Sequence, residues 1–264
     1  MSSTFPAAAV STEHPTDARP AHPVFPLATV LFLLTLAAQL FSLAFGRVDA
    51  ARSFSSIVLP SAVFLSVLTV PSVWLGLVLG QRIGLGAPRF AGMLSGERGS
   101  LAKAGRDAGL AGGLGVALGA VLLLVRYLSQ PYLPPEIPAY GFRGALGGLA
   151  VSVGAAVAEE VWFRLGLMTL LVWVVMKLRG HDTVRPVVAW TILVGTAVAF
   201  GMAHLPQLLS YGAGSPFAIG GTVLGNTAVG ILYGWCYWRR SLFAAMVAHL
   251  SVDVVLHVLP AFVS

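Results

Sequence analysis

Seven stretches of this sequence are nearly free of charged residues, and each is long enough to cross a lipid bilayer. One helical crossing needs roughly 17–25 predominantly apolar residues. The stretches are Val24–Phe45, Ile57–Gly80, Ala108–Val125, Ala145–Met176, Val187–Leu209, Pro216–Trp238 and Leu242–Leu259.

 Because every backbone polar group inside a bilayer must be paired within the protein, stretches of this length favour helices. The predicted fold is therefore all-α: a polytopic transmembrane helix bundle of seven or eight spans.

The composition agrees with a membrane protein. Hydrophobic residues make up 57% of the chain, charged residues only 10%, and the mean hydropathy is +0.85. The net charge of +6 does not indicate a nucleic-acid partner, because the basic residues cluster between the apolar stretches, where they set membrane topology. The partner expected from composition is thus the lipid bilayer. The single cysteine, Cys236, excludes an internal disulfide and a cysteine metal cluster.

The fourth stretch decides the number of spans. As one helix, Ala145–Met176 would be about 48 Å long, against a hydrocarbon core of about 30 Å. It is therefore steeply tilted, extends beyond the bilayer, or is broken in two. A single crossing gives seven spans and a break gives eight.

Basic residues predict the orientation of the bundle. If the fourth stretch crosses once, ten of them fall on one side, against four on the other (Arg47, Arg52, Arg126 and Arg143). The ten are Arg82, Arg89, Arg98, Lys103, Arg106, Lys177, Arg179, Arg185, Arg239 and Arg240. The positive-inside rule then predicts a cytoplasmic amino terminus, and a plasma or inner membrane is the expected location.

The chain divides into three predicted regions. Residues 1–23 are rich in Ala, Pro, Ser and Thr and are predicted to form a disordered tail. Residues 24–128 hold the amino-terminal transmembrane helices. Residues 145–258 form a carboxyl-terminal core that carries the ionisable residues of interest.

His257, near the end of the last apolar stretch, is expected to be interfacial, and six other charged residues or histidines lie inside the apolar stretches of that core. They are Glu159, Glu160, Arg164, His204, His249 and Asp253. A charged side chain at the centre of a bilayer costs ~2.5–3.5 kcal/mol on insertion scales, and such residues face partners inside the bundle. The six side chains are therefore expected to meet, and two carboxylates, an arginine and two histidines in a water-poor site are the ingredients of a hydrolase.

Spacing assigns first partners within the fourth stretch. Glu160 and Arg164 are four residues apart, with the acid nearer the amino end, which favours an ion pair along one helix face. Glu159 is rotated by about 100° from Glu160 and lacks that partner, so it is the better candidate for chemistry. The alternative is that both acids only hold helices together.

The two histidines have polar or aromatic neighbours one turn away. Phe200 precedes His204 by four residues, and Pro206 follows it, so the helix is expected to kink or end there. In the last stretch, Leu242–Leu259, His249 and Asp253 share a helix face. Each histidine alone is also compatible with a packing role.

Together these residues resemble the CAAX prenyl protease and bacteriocin-processing family, also called the Abi or type II CAAX protease family. Its motif Glu-Glu-x-x-x-Arg is similar to Glu159–Arg164, and its Phe-x-x-x-His matches Phe200 and His204. Its third motif, His-x-x-x-Asn or Asp, matches His249 and Asp253. The resemblance covers roughly Ala145–Val258, and the ordered triple is more specific than any one motif.

The resemblance implies an all-helical intramembrane endopeptidase that acts on a membrane-associated polypeptide. In such an enzyme Glu159 and His204 would activate a water, and His249 with Asp253 would stabilise the oxyanion. The supporting residues would be Glu160, Arg164 and Phe200. Asp253 fits less easily, since an ionised carboxylate cannot donate a hydrogen bond, although burial could keep it protonated.

Two questions stay open at this point. Two histidines and several carboxylates could bind zinc, but the sequence has no His-Glu-x-x-His motif and the candidates lie on three helices, so no metal or other cofactor is predicted. A proton- or ion-coupled transporter would also use intramembrane acids and histidines, although no pair of related halves is visible. A non-catalytic membrane scaffold on the same fold is the third interpretation.

Overall fold

The computed structural model describes residues 23–46, 53–180 and 184–263 of the 264-residue chain. Within those ranges the chain is helical and has no β-strand. Of the predicted disordered tail, residues 1–22 lie outside the described residues, as do Arg47 and Arg52.

Ten α-helices follow one another in the described ranges, with short π and 3₁₀ segments between or after some of them. They are α1 (Val24–Phe45), α2 (Phe54–Ile83), α3 (Pro88–Leu94), α4 (Ser100–Ser129), α5 (Gly144–Glu159), α6 (Thr169–Arg179), α7 (Pro186–Ala203), α8 (Leu205–Ser210), α9 (Pro216–Arg239) and α10 (Leu242–Asp253). In this part of the chain, seven helical stretches are long and apolar enough to cross a membrane. The predicted all-α polytopic bundle is confirmed, and the protein is an integral membrane protein.

The fourth span is continuous. It runs over Gly144–Arg179 as α5, a π-helical segment at Glu160–Met168, and α6. At the end of the π segment the Thr169 N–H and hydroxyl both donate to the Arg164 carbonyl, five residues earlier. Because the span does not break, the count is seven rather than eight. Widened π turns are rare and occur frequently at functional sites.

The fifth span is interrupted where the sequence predicts. α7 ends at Ala203, His204 lies in a turn, and α8 begins at Leu205. Pro206 has no N–H to continue the helical ladder, and its ring clashes with the carbonyl four residues earlier. The interruption places His204 at a helix terminus.

α10 occupies a central position, where it packs against α4, α5 and α9. Its approach to α4 depends on a small residue: a Cβ on Gly115 would lie 2.5 Å from the Ala248 carbonyl oxygen. Small residues allow this closeness in lipid, where van der Waals packing replaces a hydrophobic driving force between helices. His249 and Asp253 are thereby held in the interior of the bundle.

Two of the basic loops meet at one end of the bundle. Arg89 Nε lies 3.0 Å from Asp107 Oδ2, and Arg240 Nη1 lies 3.8 Å from Asp107 Oδ1. The loop between α2 and α4 and the turn between α9 and α10 therefore share a side, as the sequence predicts. The identity of that side as cytoplasmic stays a prediction.

Candidate active site

Glu160 forms the buried centre of the site. It is the first residue of the π segment, and its side chain is fully buried. Its Oε1 lies 2.8 Å from His249 Nδ1, and its Oε2 lies 3.2 Å from Arg164 Nε. The predicted pairing of Glu160 with Arg164 is confirmed, and the helix that carries His249 supplies a second partner.

This contact orients His249. With a carboxylate as acceptor, Nδ1 must carry a hydrogen and donate it, so the other ring nitrogen points away from Glu160. His249 Nε2 lies 3.6 Å from Asp253 Oδ2 and 3.9 Å from Glu159 Oε2. The imidazole thus sits among three carboxyl groups, with its Nε2 directed at the pair formed by Glu159 and Asp253.

Adjacent glutamates occupy different environments. The Glu159 side chain is 24% exposed, whereas Glu160 is fully buried. Glu159 Oε2 has no hydrogen-bond partner among the described residues. Glu159 also interacts electrostatically with both imidazoles, His249 and His204. Its position at the last residue of α5, before the helix widens, separates it from the ion pair of Glu160.

His204 joins the cluster through Phe200. Its Nδ1 lies 2.8 Å from the Phe200 carbonyl oxygen, so this nitrogen donates and the other nitrogen of the neutral ring is an acceptor. The Phe200 ring centre lies 4.8 Å from the His204 ring and 6.0 Å from the His249 ring. One buried phenyl ring therefore contacts both imidazoles, although they lie on different helices.

The Arg164 guanidinium contacts a backbone carbonyl and two aromatic rings. Its Nη2 donates to the Gly230 carbonyl at 3.1 Å. Its guanidinium carbon lies 4.6 Å from the centre of the Phe200 ring and 5.4 Å from that of Tyr233. Aromatic faces attract cations, most strongly where water is excluded. Arg164 consequently joins the fourth, fifth and sixth spans around Glu160.

Tyr233 belongs to this cluster, and sequence reasoning missed it. Its ring is buried and stacks on His249 with 4.4 Å between ring centres and 14° between planes. The sixth stretch contains no Asp, Glu, Lys, Arg or His, so it carried no charge signal to follow. The usable signal was a tyrosine three residues after Gly230, which puts a polar tip on the packed face of a span.

The connection between α4 and α5 carries Tyr140. The centre of the Tyr140 ring lies 6.3 Å from the centre of the His257 ring, and the guanidinium carbon of Arg126 lies 5.2 Å from the centre of the Tyr140 ring. Burial raises the pKa of Tyr140; Arg126 opposes the shift, and the charge of Asp253 adds to it.

The arrangement can bind and polarise a small molecule such as water. It offers an unpaired carboxylate oxygen on Glu159, an acceptor nitrogen on His204, the Nε2 atom of His249, which Glu160 does not engage, and a nearby guanidinium that balances charge. Among the described residues, no group of three His, Cys, Asp or Glu side chains has an arrangement suited to a metal ion. All the site residues named from the sequence lie in this one region. Their catalytic roles stay predictions.

The carboxyl-terminal part of the chain matches a known family. Residues 142–255 match the sequence profile of the family described as type II CAAX prenyl endopeptidase Rce1-like. The matched segment contains all three motifs, from Glu159 to Asp253. Comparisons with curated proteins and with solved structures give no significant match.

Proposed function

We propose that this chain, whose residues 142–255 match the type II CAAX prenyl endopeptidase family, is an intramembrane endopeptidase that uses a water activated by Glu159 and His204. Its substrate is a peptide bond of a membrane-associated polypeptide. The observation that carries the proposal is the contact of one phenyl ring, Phe200, with both imidazoles beside an unpaired Glu159 carboxylate.

Each site residue has its own role in the proposed hydrolysis. Glu159 accepts a proton from water while His204 orients that water, and the resulting hydroxide adds to the scissile carbonyl carbon. His249 uses its Nδ1–H for Glu160 and, as an imidazolium, donates from Nε2 to the oxyanion, while a protonated Asp253 donates a second hydrogen bond. Such donors stabilise the oxyanion most strongly where water is excluded. Glu159 then returns the proton to the departing amine, so one water is consumed and the enzyme is regenerated. Glu160 and Arg164 hold His249 in place.

Asp253 contributes as a neutral donor in this scheme. Only a protonated carboxyl group can donate to an oxyanion, and an asparagine amide supplies the same kind of donor without ionising. Asp253→Asn is therefore expected to keep the rate of peptide cleavage within about tenfold of wild type, the size of one neutral hydrogen bond. Initial rates on a fluorogenic membrane peptide measure this. Complete loss of cleavage in Asp253→Asn, with folding intact, would instead assign the carboxylate a charged role.

We propose that the mechanism is metal-free. The Nδ1 atom of each site histidine is engaged by an oxygen of the protein, and Glu160 already has two partners. Cleavage should therefore persist after dialysis against a strong chelator, with a rate within about twofold of the untreated protein. A rate that falls to background and returns on addition of zinc would overturn this assignment.

The test of the function itself is direct. Purified protein is incubated with a panel of membrane peptides, including prenylated carboxyl-terminal ones, and is also sealed into vesicles for flux measurements. The proposal predicts specific cleavage and no substrate-driven ion flux. Flux without cleavage would indicate a transporter, and neither activity would indicate a scaffold.

The proposed setting is a plasma or inner membrane with a cytoplasmic amino terminus. The support is the excess of basic residues in the loops that meet around Asp107. Labelling of single cysteines introduced in these loops, in intact cells, tests the orientation.

A further inference from the structure

Tyr233 carries a hydroxyl group that the fold does not use. The side chain is fully buried, and its oxygen has no hydrogen-bond partner among the described residues. A buried hydroxyl without a partner destabilises a fold, whereas phenylalanine would keep the ring and avoid that penalty. A hydroxyl retained under these conditions needs another explanation.

The ring itself restrains His249. Glu160 fixes one edge of the imidazole through Nδ1, and Tyr233 covers one face in a nearly parallel stack. Phe200 meets His249 at 88°, an edge contact that differs from the stack. Offset-stacked and edge contacts are the favoured arrangements of aromatic rings, so the plane of His249 is fixed by its neighbours.

The unpartnered hydroxyl belongs to a group of similar atoms. The described part of the chain has five buried side-chain polar atoms without a hydrogen-bond partner, and four of them are in this cluster. The four are Glu159 Oε2, Glu160 Oε2, Arg164 Nη1 and Tyr233 Oη. Donors and acceptors are both present, and the Tyr233 hydroxyl interacts electrostatically with Asp253, Glu160 and Glu159. A buried water needs two to four such partners.

We propose that Tyr233 is a positioning residue of the endopeptidase site. Its ring sets the plane of His249, and its hydroxyl donates a hydrogen bond to a buried water that the site carboxylates share. The phenol keeps its proton throughout, so no covalent step involves it. The inference rests on the proposed function for its kinetic part only.

Two substitutions separate the roles of the ring and the hydroxyl. Tyr233→Phe should lower kcat by about tenfold, the size of one neutral hydrogen bond, with KM unchanged and thermal stability close to that of wild type, because the ring stays and only a contact with water is lost. Tyr233→Leu removes the ring as well and should lower kcat by about 100-fold, because a misplaced catalytic group loses that much. It should also shift the His249 ring proton resonances, which Tyr233→Phe leaves nearly in place.

Tyr237, one turn further along α9, provides the matched control. Its hydroxyl is hydrogen-bonded to the Thr169 hydroxyl at 2.6 Å and to the Gly86 N–H at 3.0 Å. Tyr237→Phe should therefore lower the thermal stability while leaving kcat of the folded protein unchanged. The Tyr233→Phe variant is thus expected to lose kcat, and the Tyr237→Phe variant is expected to lose thermal stability.

Wild-type kcat in Tyr233→Phe would overturn the role of the hydroxyl. Unchanged His249 resonances in Tyr233→Leu would overturn the role of the ring. If the wild-type protein cleaves no peptide, the proposed function fails, while the resonance measurements still decide the role of the ring.

Discussion

Glu159→Gln should lower kcat for peptide cleavage by about 10²–10⁴-fold, the contribution typical of a positioned general base. Glutamine has nearly the same shape but cannot accept a proton from water at neutral pH. The glutamate is partly exposed and its Oε2 has no hydrogen-bond partner among the described residues, so the substitution breaks no hydrogen bond at that atom. Thermal stability and KM should change little.

Glu136→Gln is the control for this measurement. Glu136 is an exposed acid in the connection between α4 and α5, outside the spans. Its substitution removes the same charge and should leave kcat unchanged. His204→Ala, which removes the proposed water-orienting imidazole, should also abolish cleavage. Near-wild-type turnover in Glu159→Gln would exclude Glu159 as the base.

The largest stability effect is expected at Arg164. Arg164→Leu leaves the fully buried Glu160 carboxylate without its cation, and breaking a buried ion pair from one side destabilises a protein by about 3–5 kcal/mol. The substitution also removes the hydrogen bond from Arg164 to the Gly230 carbonyl and the contact of the guanidinium with Phe200. The free energy of unfolding, measured by denaturant titration in detergent micelles, should fall by that amount.

An exposed ion pair provides the comparison. Lys103 Nζ lies 3.4 Å from Glu97 Oε1, and both side chains are about half exposed. Lys103→Leu should change the unfolding free energy by only about 0–1 kcal/mol, because solvent screens such pairs. The double variant Glu160→Leu/Arg164→Leu should be more stable than Arg164→Leu alone, since it removes the unpaired charge. An Arg164→Leu protein as stable as wild type would show that the ion pair does not hold these spans together.

Hydropathy and local spacing were sufficient for much of the architecture. Long apolar stretches leave helices as the available structure, so a bundle of seven or eight spans follows from sequence. The continuous fourth span of the structure decides for seven. The Glu160–Arg164 pair follows from its spacing, and the interruption at His204 follows from the chemistry of Pro206. These features depend on residues within a few positions of one another in the sequence, so the spacing of residue types is enough to predict them.

Features that depend on contacts between distant spans were not predictable in this way. The π segment at Glu160–Met168 reflects how the span packs, and no local propensity marks it. The hydrogen bond from His249 to Glu160 joins residues 89 positions apart, and the stacking of Tyr233 on His249 joins two successive helices. Charge signalled that Glu160 and His249 needed partners, but the identity of each partner depends on the rotation of each helix.

The most direct test of the proposed mechanism is the origin of the oxygen in the new carboxyl terminus. Protein equilibrated in ordinary water is mixed with a membrane peptide in H₂¹⁸O under single-turnover conditions, and the products and the protein are analysed by mass spectrometry. Attack by an activated water predicts one ¹⁸O in the amino-terminal product and none in Glu159. An unlabelled product in the first turnover, or ¹⁸O incorporated into Glu159, would contradict that mechanism.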